Sequence, residues 1–440
     1  MITRSRQGPR QAPGWGADFR RLQTAVWTTN IGDGIALAAG PLLVASQTDD
    51  ARLVALAAAL QRLPWLVLGF YAGALADRLD RRRLVVVANL LRVAVLCSLC
   101  LSIATSYVDI WLVLATMLAL GVAEVFSDST TGTLTPMLVQ RRDLGRANSR
   151  LQAGYLVGNQ LAGPPLGAFL FAAGMAWPFM VQATTTLLAV IVVSRIVGAS
   201  GRVRVAEEPT HVRRDIAEGV RWLWHHPPLR TLALVITTFN VTWGAAWSVL
   251  VLWSLHRVGM GEVGFGLLTS AAAVGGLLGA ASYSRLEQRV PIAVLMKGCL
   301  LLEVLMHLGL ALTTQAWLAL LIMFGFGVYA FVWHNVSVSV RQRAVPQHLQ
   351  GRVGSVYLVG VFGGLVVGQL LGGVIAEHWG LAAPFWFAFG GSALTLALVW
   401  RQLSLIAHLE EADDHGDEDP PPAPPRTGEH QGPGAPSQVV

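Results

Sequence analysis

The chain has 440 residues, 53% of them hydrophobic and only 13% charged, with a mean hydropathy of +0.53. Soluble domains carry roughly 25% charged residues, so a water-soluble globular fold is excluded. The net charge of +6 and pI near 9.7 fit membrane topology and attraction to anionic lipid, not nucleic-acid binding.

Residues 1–18 form a basic cytoplasmic N-terminal segment without the apolar core of a cleavable signal, so the first helix itself is expected to direct insertion. A bilayer crossing takes about 20 mostly apolar residues. Twelve windows qualify, near 21–46, 53–76, 84–105, 109–133, 149–172, 177–198, 231–255, 264–284, 292–313, 316–338, 354–377 and 383–403. Each is read as helix, because lipid offers no partner to a free backbone group. The expectation is an all-α membrane protein of 12 transmembrane helices in two pseudo-symmetric six-helix bundles, residues 19–198 and 229–405. Residues 199–228 are a cytoplasmic linker in which 215–224 has apolar residues at helical spacing, suiting an interfacial helix or a plain structured connection. The tail, 406–440, is acidic and then proline-rich, and is expected to be disordered in the cytoplasm. With both termini cytoplasmic, Arg52 and Arg257 are the outer-loop cations, Arg62 and Arg92 lie within spans, and the remaining 28 of 32 basic residues fall on the cytoplasmic side.

The two halves are copies. Gly73-Ala74-Leu75-Ala76-Asp77-Arg78-Leu79-Asp80-Arg81-Arg82 returns in degraded form as Gly279-Ala280-Ala281-Ser282-Tyr283-Ser284-Arg285-Leu286-Glu287-Gln288-Arg289, 206 residues later. The same offset carries Gly145-Arg146-Ala147-Asn148-Ser149 onto Gly351-Arg352-Val353-Gly354-Ser355, and Gly154, Gly158 and Gly167 onto Gly360, Gly364 and Gly373. Internal repeats of membrane helices build transporters around a site between the halves.

Nucleotide-driven and enzymatic chemistry lack their residues. A P-loop needs Gly-Lys-Ser/Thr, and the sole lysine, Lys297, precedes Gly298. Gly259-Met260-Gly261-Glu262-Val263-Gly264 matches GxGxxG without a βαβ unit around it and reads as an outer loop. Cys97, Cys100 and Cys299 lie inside spans and read as small packing residues. No cofactor and no metal are expected.

The Gly73–Arg83 loop between the second and third helices resembles the signature loop of the major facilitator superfamily. Gly158, Gly163, Pro164 and Gly167 in the fifth helix resemble the antiporter motif of its drug:proton antiporter branch. With Asn30-Ile31-Gly32-Asp33-Gly34 and the Gly145–Ser149 turn, the chain looks most like the enterobactin-exporter and macrolide-efflux group. Asp80 replaces the loop's second glycine, Asn159 stands where the antiporter motif has glycine, and Ala168 replaces its last glycine.

Physically, Gly73, Asp77, Arg78, Arg81 and Arg82 make a candidate conformational latch. A carboxylate such as Asp77 near a helix N-terminus, here that of the eleventh helix, gains about 0.3–1 kcal/mol, and the arginines can pair with acids or lipid phosphates; the bland alternative is a set of positive-inside anchors. Serine and tyrosine replace the acid in the second copy, which makes the latch one-sided. The fifth-helix glycines and Gly360, Gly364, Gly368 and Gly372 of the eleventh helix are expected to meet across the halves, with Pro164 and Pro165 bending the fifth helix.

Charges within spans are functional candidates. Asp33, Glu124, Asp128, Arg62 and Arg92 are the proton-coupling set, with Asp33 and Glu124 as carriers and Arg62 or Arg92 as switching partner; a permanent ion-pair network is the alternative. Glu303 and His307, four apart on the ninth helix, read as a private pair. The resemblance implies that helices one, four, seven and ten line the cavity, which gives Asn240, Trp243, Trp247, Tyr329, Trp333, His334 and Asn335 as its second wall, suited to a bulky amphipathic ligand. The function expected is a monomeric, proton-coupled exporter in a bacterial inner membrane, moving a drug, secondary metabolite or siderophore, with protons and membrane lipid as its other partners. A lipid or siderophore carrier without drug export, and a non-transporting scaffold or sensor, are the alternatives.

Overall fold

The computed structural model describes residues 16–197 and 212–403, except for the side chains of residues 70, 73, 74, 76–78, 141, 212–216 and 348. The expected N-terminal segment up to residue 15, linker residues 199–211, the tail 406–440, and the side chains of Gly73, Asp77 and Arg78 lie outside the described residues.

Helix occupies every one of the twelve windows. The first half contains α1 (Ala17–Gln47), α2 (Ala51–Arg78), α3 (Arg81–Ala104), α4 (Ile110–Leu138), α5 (Leu144–Gly154), α6 (Gly163–Ala173) and α7 (Trp177–Val193). A π-helical stretch, Tyr155–Ala162, joins α5 to α6 into one rod. The bridge carries α8 (Val212–Trp224), so the amphipathic stretch within the linker is indeed a helix. The second half contains α9 (Pro227–Ser248), α10 (Leu250–Leu252), α11 (Gly261–Arg289), α12 (Ile292–Leu312), α13 (Ala316–Ala344), α14 (Gln350–Trp379) and α15 (Ala383–Val399). Among the described residues, seven helices are long and apolar enough to cross a membrane, or eight if the pair Pro227–Ser248 and Leu250–Arg257, bent by 45°, is one span.

Aspartates start the early helices. Asp50, Asp80 and Asp109 each accept a backbone N–H in the first turn of α2, α3 and α4, satisfying donors that a helix start leaves free. Asp80, the residue that replaces the loop glycine, thus has its own task as a cap. Arg52 beside Asp50 holds that half-buried carboxyl below the usual carboxylate range. Gly259 and Gly261 have φ of +72° and +68°, so the GxGxxG stretch is a left-handed turn opening α11.

The repeat is visible in element boundaries. Ile110–Leu138 and Ala316–Ala344 are displaced by 206 residues at both ends, as are Trp177–Val193 and Ala383–Val399. The packing repeats too: α1 lies against α6 and α7 as α9 lies against α14 and α15, and α2 against α4 as α11 against α13. Between halves, α2 packs on α14 and α11 packs on α6 and the π-helical stretch.

This arrangement corrects the expected meeting of glycine faces. Gly154, Gly158, Gly163 and Gly167 face Trp27, Ile31, Gly34 and Ile35 of α1, and Gly360, Gly364, Gly368 and Gly372 face Thr237, Asn240, Val241 and Ala245 of α9. The small residues tighten each half internally. A Cβ on Gly163 would collide with the backbone of Gly34, and one on Gly368 with the carbonyl of Val241. Across the halves it is Gly373 that lies against Ala51 and Ala55, and Gly266 against Ala168.

Candidate functional site

Asp33 on α1 and Arg92 on α3 form a close ion pair, with the Arg92 guanidinium buried. Gln182 on α7 donates to the same carboxylate oxygen at 3.2 Å. Arg92 also donates to Asn89 Oδ1 at 3.3 Å, and Asn89 donates to Ser127 Oγ on α4 at 3.0 Å. One polar chain therefore ties α1, α3, α4 and α7 at the core of the first half. An unpaired guanidinium here would be expensive, which is why the partner sits directly against it.

Glu124 and Asp128 are one turn apart on α4 and face a cavity of about 300 Å³, together with Asp33, Arg62, Arg92, Asn89, Asn159 and Gln182. Neither carboxylate makes a hydrogen bond or ion pair to a described residue. Arg62 on α2 is also without such a partner among the described residues, and its position is the hinge between two spaces. With Gln61, Tyr155 and Gln160 it borders both this cavity and a larger one of about 630 Å³ between the halves. The five expected charges are thus brought together, three carboxylates against two guanidiniums.

The larger cavity has unlike walls. The second half contributes Trp243, Trp247, Phe326, Phe331, Phe362 and His334. Trp243 and Trp247 stack at 4.6 Å between ring centroids, and Phe326 lies 6.0 Å from Trp243. The first half contributes Gln61, Arg62, Gln152, Tyr155 and Gln160. Its volume lies in the range of small-molecule sites.

Of the seven residues expected on the second wall, Trp243, Trp247 and His334 line it. The other four do not. Tyr329 turns away to α12, where its hydroxyl donates to Glu303 Oε2 at 2.8 Å, because a buried phenol needs a partner. Asn240 and Asn335 donate to carbonyls of their own helices at 2.7 and 2.8 Å, and Trp333 packs against the second-half core. Gln61, Tyr155, Gln160, Gln182 and the phenylalanines were missed. Polar residues inside the fifth and sixth apolar windows were the available signal.

The π-helical stretch explains how the fifth rod supplies its polar face. Pro164 and Pro165 have no backbone N–H, and just before them the ladder widens so that Gly163 N–H donates to Gly158 O. Their counterparts in the repeat, Leu370 and Leu371, keep their donors, and α14 runs unbroken. The widened turn carries Tyr155 and Gln160 to the cavity, linked by a 3.0 Å hydrogen bond, with Gln160 also donating to Asn159 at 2.7 Å.

In the Gly73–Arg83 loop, Arg81 donates to the Thr133 carbonyl at 3.5 Å and Arg82 to the Ile196 carbonyl at 2.9 Å. The Arg82 guanidinium thus reaches a carbonyl just past the end of α7, where a cation is favoured.

The halves stack Trp65 on Phe362 midway along α2 and α14 and make ionic contacts where α2 starts and α14 stops. Arg52 lies 3.7 Å from Glu377, His256 lies 3.8 Å from Asp49, and Gly373 and Gly266 make their close approaches on the same side.

The fold is that of known carriers. A nucleoside transporter, NupG, superposes with a TM-score of 0.73 over 88% of this chain and 99% of its own at 11% identity. A bacterial homologue of the iron transporter ferroportin in the inward-facing state gives 0.71 over 88% and 98% at 16% identity. In sequence the chain is 31% identical over 407 residues to the multidrug efflux pump Tap of Mycolicibacterium fortuitum, covering 87% of this chain and 93% of that one. The Tap pump of Mycobacterium tuberculosis is 30% identical over 398 residues, covering 87% and 92%. The model of transmembrane secretion effectors, MFS_3, matches residues 11–428, and the chain accordingly belongs to this family of bacterial multi-pass membrane transporters.

Proposed function

We propose that this chain is a proton-coupled secondary exporter of bulky amphipathic molecules, working by alternating access in the inner membrane with twelve crossings and both termini in the cytoplasm. The observation that carries the reading is the pair of unpartnered carboxylates, Glu124 and Asp128, facing a cavity that joins an aromatic-walled space between the halves. Two neighbouring charges of one sign in a low-dielectric interior are costly. Binding a proton relieves that cost, and so does binding a cationic or hydrogen-bonding ligand, so the two compete. Asp33, held by Arg92 and Gln182, is the fixed member, and Arg62 is the mobile cation able to reach either space.

The resemblance to Tap pumps favours drugs as substrates over siderophores or lipids. With the N-terminus cytoplasmic, the end that carries Arg52 and Glu377 is the outer end.

Reconstituted vesicles with an imposed pH gradient test this, screened over dyes, macrolides and siderophores. Glu124→Gln and Asp128→Asn should still bind a recognised compound but fail to concentrate it, and a protonophore should abolish uphill transport. A double variant that concentrates the compound as well as the parent would overturn the coupling.

A further inference from the structure

A second buried ionisable cluster lies in the other half, away from the charges on α1 to α4. Glu303 and His307 on α12 and Tyr329 on α13 are all buried, His307 completely. The Tyr329 hydroxyl donates to Glu303 Oε2 at 2.8 Å, and Glu303 Oε1 lies 3.9 Å from His307 Nδ1. His307 Nδ1 is 3.0 Å from the Glu303 carbonyl, which fixes the proton on that nitrogen and points Nε2 away from α12. Among the described residues Nε2 has no hydrogen-bond partner. His307 borders a narrow void of about 10 Å³ whose other walls include Trp243, Trp247 and Phe326. The same three aromatic residues face the central cavity on their other side.

We propose that Glu303, His307 and Tyr329 form a second proton-binding site, which acts on the aromatic wall of the ligand cavity through the Trp243–Trp247 stack. The naming of that wall as the ligand wall rests on the exporter reading; the proton site itself does not. The groups facing Glu303 are Tyr329 from α13 and, on its own helix, His307 and Cys299; α15 and α9 present no titratable group to it among the described residues. The cluster therefore has no resident cation. With His307 neutral and Glu303 ionised it holds one negative charge in hydrocarbon, steadied only by the phenol. A proton added at Nε2 makes an imidazolium 3.9 Å from the Glu303 carboxylate, on the void that Trp243 and Trp247 also border. The cluster is then neutral overall, and the new cation shares that void with Trp243 and Trp247, aromatic rings that attract a nearby cation. Losing the proton releases that hold on the wall.

Purified full-length protein in lipid nanodiscs provides the test, with no transported compound present. An infrared titration between about pH 5 and pH 9, the range of histidine chemistry, should show the Glu303 carboxylate band shift as the imidazolium forms beside it, a change that disappears in Glu303→Gln. Tryptophan fluorescence should change over the same range, because an imidazolium beside an indole quenches it. That change should vanish in Glu303→Gln, His307→Gln and Trp247→Phe, while Trp247→Phe keeps the infrared signal. Tyr329→Phe, which removes only a hydroxyl, should shift the midpoint by roughly one pH unit. No Glu303-dependent infrared change, or a fluorescence titration unaltered in His307→Gln, would overturn the proposal. Because neither readout involves transport, a failed export assay with an intact titration would count against the exporter reading alone.

Discussion

Asp33 and Arg92 neutralise each other at a depth where neither is tolerable alone, while Glu124 and Asp128 have been left without that protection. The two kinds of acid should respond differently to substitution. Asp33→Asn strands a buried guanidinium, so folded yield and thermal stability should fall by about 3–5 kcal/mol, and Asp33→Asn with Arg92→Gln should recover much of the loss in a thermal melt. Glu124→Gln should leave the melt near that of the parent, because it breaks no bond. The sequence displayed all five charges as unusual residents of apolar windows. It left open which acid each arginine would hold, because Asp33 and Arg92 meet only once α1 and α3 are packed. The same reason hid Gln182, which is unremarkable in its window until α7 brings it to Asp33.

At the scale of elements, tight helix pairs depend on glycines whose importance differs by position. A methyl on Gly163 meets the backbone of Gly34, so Gly163→Ala should destabilise by about 1–3 kcal/mol, as overpacking does. Gly354 on α14 has open space around its Cβ position, so Gly354→Ala should be neutral or stabilising by about 0.5–1 kcal/mol through helix propensity. Thermal melts of the two variants side by side separate packing from propensity. Spacings of four and five residues announced a close helix contact for the fifth and eleventh helices. The partner was assigned to the wrong helix, because periodicity describes one face of one rod and carries no address for what lies against it. The prolines were visible as a disturbance of the fifth helix; the π-helical register that carries Tyr155 and Gln160 inward was not.

For the whole molecule, the two halves meet through α2 on α14 and α11 on α6, and the described ion pairs between them sit at one end. Arg52–Glu377 is solvent-exposed, and a pair of that kind contributes roughly 0–1 kcal/mol, so the ion pair itself adds little resistance to opening. If opening is part of transport, tying that end should stop it. Ala55→Cys with Gly373→Cys, in a chain lacking Cys97, Cys100 and Cys299, should cross-link on oxidation and halt uphill transport, with activity returning on reduction. Undiminished transport by the cross-linked protein would count against alternating access. The sequence by itself determined the membrane environment, the helix in every apolar window and the duplicated half, because hydropathy, length and repeat spacing act locally along the chain. Only the tertiary structure decided that Tyr329 belongs to Glu303 rather than to the cavity, that glycine faces bind within halves, and that Glu124 and Asp128 have no hydrogen bond or ion pair among the described residues. Each of those outcomes depends on which residues from distant helices arrive at the same depth on facing sides, a relation that no single helix encodes.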